Sequence, residues 1–161
     1  RVKLKGSPAH GLPPDFNLRD VLSDGVETTR NWFYKVASIR ELVPRLYAEM
    51  ALLQCYRLLV PRDEIASVVH RLSLSTRGLG DPLATCYARA YLLHKARLVV
   101  PTMSDEVVEA PLWDVFTVFS QQLSSPDFVR DVTTRASITP SEYGGVFLPA
   151  VEWVGSAVAV G

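Results

Sequence analysis

The residues with which this chain could do chemistry are few and stand apart. Its histidines, His10, His70 and His94, never pair at i,i+3 or i,i+4, the spacings that put two imidazoles on one helical face to hold a metal ion. Cys55 and Cys86 have no Cys-x-x-Cys partner and sit in apolar stretches, which predicts buried free thiols in a reducing compartment. The run Gly78-Leu79-Gly80-Asp81 suggests a phosphate loop at first sight. It lacks the Gly-x-x-x-x-Gly-Lys-Ser/Thr pattern and follows a helical stretch instead of a strand. Ser73, Ser75 and Thr76 have no nucleophile-elbow context. No catalytic set, metal site or cofactor site emerges. What remains is recognition chemistry: Arg45 and Arg89 each sit in an otherwise apolar stretch, where a charge must reach water, a carboxylate or a partner.

The elements that position these arginines read as helices. Val43–Val60 is apolar at nearly every position except Arg45, Glu49, Gln54 and Arg57, which predicts an inner helix begun by Pro44 and touched on several sides. Before it, Val26, Thr29, Phe33, Val36 and Ala37 keep helical spacing from Ser23 or Asp24 to about Ala37. A third helix is expected from about Pro61, with the stripe Ile65, Val68, Val69, Leu72, ending at Arg77 with Gly78 as a left-handed cap. Asp81 is the natural N-cap and Pro82 the first residue of a fourth helix running to about Val100. Arg77, Gly78, Gly80, Asp81 and Pro82 together predict a rigid structural turn. Ser104 and Asp105 offer caps for a fifth helix, clearest from Pro111 to Leu123 along Leu112, Val115, Phe116, Phe119 and Leu123. Ser124 to Gly145 reads as a long connection with one helical turn after Pro126, and the last helix starts near Pro149. The fold class expected is all-α: a HEAT-like α-solenoid segment of antiparallel helix pairs, residues 23–161, after a tail or linker over 1–22.

Composition narrows the function classes. The chain has 161 residues, 48% of them apolar, enough for a packed core in one domain. Seventeen basic residues balance seventeen acidic ones, which argues against nucleic acid as a partner. No apolar run reaches the roughly 18–20 residues that cross a bilayer, and no apolar segment follows the basic N-terminus as in a secretory signal. A soluble, cytosolic protein is expected. The start at Arg1 and the end on Ala-Val-Gly predict a fragment of something longer.

Two segments carry a family resemblance. Glu27 to Arg45, Glu-Thr-Thr-Arg-Asn-Trp-Phe-Tyr-Lys-Val-Ala-Ser-Ile-Arg-Glu-Leu-Val-Pro-Arg, resembles the large scaffold subunits of retriever, a vacuolar protein sorting family. Arg77 to Leu83, followed by Tyr87-Ala88-Arg89-Ala90-Tyr91-Leu92, is similar to the next part of those subunits, and Leu148 to Trp153 to a later one. The paralogous retromer subunit is similar more distantly, through Pro44-Arg45-Leu46-Tyr47 and a pattern matching Arg77-Gly78, Pro82-Leu83 and Arg89 to Leu93. The resemblance implies an α-solenoid that scaffolds endosomal cargo recycling without enzymatic activity, cytoplasmic and peripheral on endosomes, within a larger endosomal sorting assembly and without direct membrane insertion. By carry-over, Pro44, Arg45, Leu46 and Tyr47 belong to or support an interface with an arrestin-like subunit, and Arg89 joins them as a candidate partner contact. Retromer's motif continues with Leu where this chain has Ala48, which implies an altered contact. A metallophosphoesterase-fold subunit is implied to bind parts of the full chain outside this segment.

Each of these residues also has a purely internal role open to it. Pro44 and Leu46 can simply start and bury a helix, and Tyr47 can be a core aromatic. Arg45 and Arg89 divide between an internal bridge, for Arg45 with Glu49 at i+4, and a partner contact. The alternative from another class is an unrelated helical-repeat protein with an enzymatic or ligand-binding role, which would show as a deep polar pocket with perturbed titratable groups.

Overall fold

The computed structural model describes residues 12–13, 16–101 and 104–159. Most of the expected tail and His10 lie outside them. The part of that tail that is described is folded: Asn17 accepts from Arg19 N–H (2.9 Å) to cap a 3-10 turn over Leu18–Asp20, and Val21 is buried.

The described residues form seven α-helices: α1 (Ser23–Ala37), α2 (Leu42–Ala51), α3 (Ile65–Thr76), α4 (Pro82–Val99), α5 (Asp105–Val118), α6 (Pro126–Ala136) and α7 (Pro140–Ala159). This is the all-α, solenoid-like segment expected. Helix α4 lies at its centre, packed on α2, α3, α5 and, most extensively, α7. Its buried side chains include Cys86, Ala88, Ala90, Leu92, Leu93 and Ala96, of which all but Cys86 are wholly inaccessible. The small residues among them let neighbours approach from several sides. At the far end Arg97 donates to the carbonyls of Ala157 (3.1 Å) and Val158 (3.2 Å), placing a cation at the negative end of the α7 dipole.

The inner helix expected over Val43–Val60 is shorter than that. It leaves α-helical geometry after Ala51 and continues as a 3-10 helix over Leu53–Leu58. Leu46, Met50 and Leu53 form its buried stripe, and an unbroken α-helix would bring Arg57 to the next position on that stripe. The change of winding buries Leu58 instead and leaves the Arg57 guanidinium 4.7 Å from the Phe16 ring. A second short 3-10 turn, Arg62–Glu64, leads into α3.

The C-terminal half departs most from the expected layout. Helix α5 begins at Asp105 and carries Pro111 in its interior, then widens into a π-helical turn over Phe119–Leu123. The stripe expected along it is split: Val115 is buried, whereas Phe116 and Phe119 are exposed together with Trp113. The stretch read as a long connection contains α6, and α7 starts nine residues before Pro149. Thr139 and Glu142 explain that start. The Thr139 N–H (2.7 Å) and hydroxyl (2.8 Å) both donate to Glu142 Oε2, while Glu142 N–H donates to Thr139 Oγ1 (3.2 Å), a reciprocal capping box. These bonds favour the carboxylate and hold Glu142 below its ordinary pKa.

A candidate docking face at the start of the second helix

The four residues Pro44 to Tyr47 occupy one turn of α2, and the turn divides them. Leu46 is buried at 2% exposure and Tyr47 is half-buried, its ring 5.5 Å from that of Tyr91 on α4. Burial, with a smaller contribution from the neighbouring Tyr87 and Tyr91, raises the Tyr47 pKa and keeps the phenol neutral. Pro44 is exposed and Arg45 half-exposed. Leu46 and Tyr47 therefore anchor the turn, and Pro44 and Arg45 are what a partner could reach.

Arg45 does not bridge to Glu49. Glu49 accepts instead from the Tyr56 hydroxyl and from Arg71 on α3, and Arg71 also donates to the Tyr56 oxygen at 3.0 Å. Burial and then the Glu49 carboxylate push the Tyr56 pKa up, so Tyr56 stays a proton donor to Glu49. The triad ties α2 and its 3-10 extension to α3. The Arg45 side chain makes no ion pair or hydrogen bond among the described residues and lines a groove of about 510 Å³ against α1. Helix α1 buries only Thr29 and Val36, while Trp32 and Tyr34 are 56% and 67% exposed.

Arg89 faces inward. It is 2% exposed; its Nε donates to Thr76 Oγ1 (3.2 Å) and its Nη2 to Asp114 Oδ2 (3.3 Å). Burial lowers its pKa, with Asp114 opposing that shift. Of the two roles open to Arg89, the structure displays the internal bridge, and the side chain offers no surface to a partner. Asp114 also takes a two-point contact from Arg77, at 3.0 Å to Nε and 3.1 Å to Nη2. One carboxylate on α5 thus fastens the corner between α3 and α4. The sequence held no local sign of this, because Asp114 is 37 residues from Arg77 and 25 from Arg89.

The corner matches its reading in one half. Asp81 caps α4, its carboxylate accepting from Ala84 N–H at 2.7 Å, with Pro82 in the first turn. The left-handed cap expected at Gly78 is absent: neither Gly78 nor Gly80 takes a left-handed φ. What is tight at Gly78 is space, since a Cβ there would lie 3.1 Å from Leu42 Cδ2, the movable end of that side chain. The left-handed cap belongs to Ser137, φ 56° and ψ 39°, after α6.

Burial raises Cys86 to about 11 and raises Cys55, so both stay thiols at neutral pH. Among the described residues no three His, Cys, Asp or Glu gather as a metal site would require, and no helix is long and apolar enough to cross a membrane.

The family profile described as VPS35L matches residues 1–143 of this chain. The VPS35 endosomal protein-sorting factor-like protein of Danio rerio is 39% identical over 93% of the chain and 15% of its own length. The Dictyostelium discoideum protein of that name is 38% identical over 80% of the chain and 13% of its length, and the Homo sapiens one 34% over 89% and 14%. The chain therefore spans about one-seventh of the curated relatives it matches, and those relatives are named as sorting factors. With its helical segments and motif residues in place, the chain belongs to the VPS35L family.

Proposed function

We propose that this chain is a segment of the scaffold subunit of a retriever-type assembly, which recycles cargo from endosomes to the cell surface. It acts in the cytoplasm as a peripheral component on endosomes, without enzymatic activity. The first turn of α2 receives an arrestin-like subunit; a metallophosphoesterase-fold subunit binds elsewhere on the full-length protein. The observation that carries this reading is the division of Pro44 to Tyr47. Leu46 and Tyr47 fix the turn from inside, while Arg45 presents a planar, multi-donor group that no carboxylate of the described residues engages.

The test is co-precipitation of the arrestin-like subunit with the full-length protein, wild type and Arg45→Asp. The expected loss of binding is about 2–5 kcal/mol, as for a desolvated charge contact. The fold should lose no more than about 0.5 kcal/mol from the new repulsion with Glu49. Melting temperature measured on the same samples separates the two effects. Intact binding by a folded Arg45→Asp protein removes Arg45 from the interface.

A further inference from the structure

The groove beside Arg45 has a composition that a scaffold surface does not need. It is about 510 Å³ and lies between α1 and the α2–α3 pair. Three guanidinium groups line it, Arg30 from α1, Arg45 from α2 and Arg71 from α3, against the single carboxylate of Glu49. That carboxylate is already taken by Arg71 and the Tyr56 hydroxyl. The side chains of Arg30 and Arg45 make no ion pair or hydrogen bond among the described residues. Glu27, one turn before Arg30, lines the adjoining groove with it and forms no ion pair there. A local surplus of two positive charges stands out in a chain whose seventeen basic and seventeen acidic residues cancel. The groove also has an aromatic wall, where the Phe33 and Tyr56 rings stand 4.2 Å apart between centroids.

We infer that this groove binds an acidic segment of a partner protein, with one aromatic or aliphatic side chain set among its carboxylates. A guanidinium presents paired N–H donors that match a carboxylate, and Arg30 and Arg45 stand on different helices, so two carboxylates of one strand can be engaged at once. The apolar side chain between them rests on Phe33 and Tyr56. A groove of this volume holds one such side chain with its flanking backbone. An extended nucleic acid is disfavoured, because its affinity needs a longer run of positive charge than these three arginines supply. The inference rests on the α1–α2 corner being a docking face and leaves open which protein docks there.

The experiment uses the full-length protein and a fluorescein-labelled probe peptide, Gly-Asp-Glu-Asp-Phe-Asp-Glu-Gly, with the Asn/Gln version as control. Fluorescence anisotropy should show binding of the acidic peptide only, weakening at least tenfold between about 50 and 300 mM salt as charge contacts are screened. Arg30→Glu with Arg45→Glu should weaken it at least tenfold, and Arg130→Glu on exposed α6 should leave it unchanged. Should the double reversal lower the melting temperature, Arg30→Gln with Arg45→Gln serves in its place and should show a smaller loss. Equal binding of the Asn/Gln peptide overturns the inference. So does wild-type affinity in the folded double variant, or binding of phosphatidylcholine vesicles with 5% phosphatidylinositol phosphate where the peptide fails. A parallel pull-down of the arrestin-like subunit separates the two readings. Peptide binding that the double reversal abolishes, without capture of that subunit by the wild type, removes the proposed function and keeps the groove; capture by the wild type without peptide binding removes the groove and keeps the proposed function.

Discussion

At the scale of single residues, the energetics are concentrated on charges that the fold has withdrawn from water. Arg89 shares Asp114 with Arg77, and the two contacts differ in weight. Arg89 is desolvated, so deleting Asp114 leaves a buried cation with only the Thr76 hydroxyl. Asp114→Ala should cost about 3–5 kcal/mol. Arg77→Ala, at a side chain 55% exposed, should cost less than about 1 kcal/mol. Urea denaturation of the two variants checks the contrast, and equal losses would mean that Arg89 finds another partner. The need of Arg89 for a partner was legible in the sequence, because a charge inside an apolar helix must be satisfied somewhere. The identity of that partner was not, since a carboxylate 25 residues away becomes a neighbour only through packing. The same limit explains Arg45. Its i,i+4 spacing to Glu49 suggested a bridge, but Arg71 on α3 and the Tyr56 hydroxyl compete for that carboxylate and hold it. Local spacing proposes a pair, and tertiary contacts decide it.

At the scale of elements, proline and glycine carried the sequence reading and also misdirected it. A proline is acceptable in a first helical turn because its missing N–H has no partner there, and Pro82 and Pro126 follow that rule. Pro111 and Pro149 stand inside α5 and α7. Packing overrides the lost backbone bond at each: Val108 and Val115 are buried on either side of Pro111, as are Phe147 and Ala150 around Pro149. The capping box Thr139-Pro140-Ser141-Glu142 was readable from composition and spacing alone, and it marks the true start of α7. Glycine shows the converse. The left-handed position lies at Ser137, where a side chain is strained, and not at Gly78, where the backbone is ordinary and space is short. Ser137→Gly should therefore stabilise the fold by about 0.5–1 kcal/mol. Gly78→Ala should change stability by less than about 1 kcal/mol, because only the flexible end of Leu42 must move. Thermal melts of both variants test the assignment; destabilisation by Ser137→Gly would show that the serine side chain supports its own turn.

At the scale of the whole molecule, α4 is the shared wall of the segment, and the helical class and its central position were legible in its apolar run. The final arrangement around it was not, because α7 reaches α4 from far along the chain. Tyr87 donates to the Val146 carbonyl (2.9 Å) across 59 residues, and Arg97 reaches the end of α7 across 60 and 61. The exposed Trp113, Phe116 and Phe119 of α5 and its extension likewise followed from no periodicity, since their spacing fits a buried face equally well. The α4–α7 contact has a consequence in time. During synthesis α4 is complete at Val99, yet its largest partner is finished only at Ala159. At about 5–20 residues per second that interval lasts roughly 3–12 s. Through those seconds the side of α4 later covered by Tyr143, Phe147, Ala150 and Val154 stands bare as the chain leaves the ribosome. Nascent chains arrested with α7 still inside the exit tunnel should be cut by protease within α4, and chains arrested well past α7 should resist. A chaperone that binds apolar helices has its opening in this interval, before α7 closes over α4.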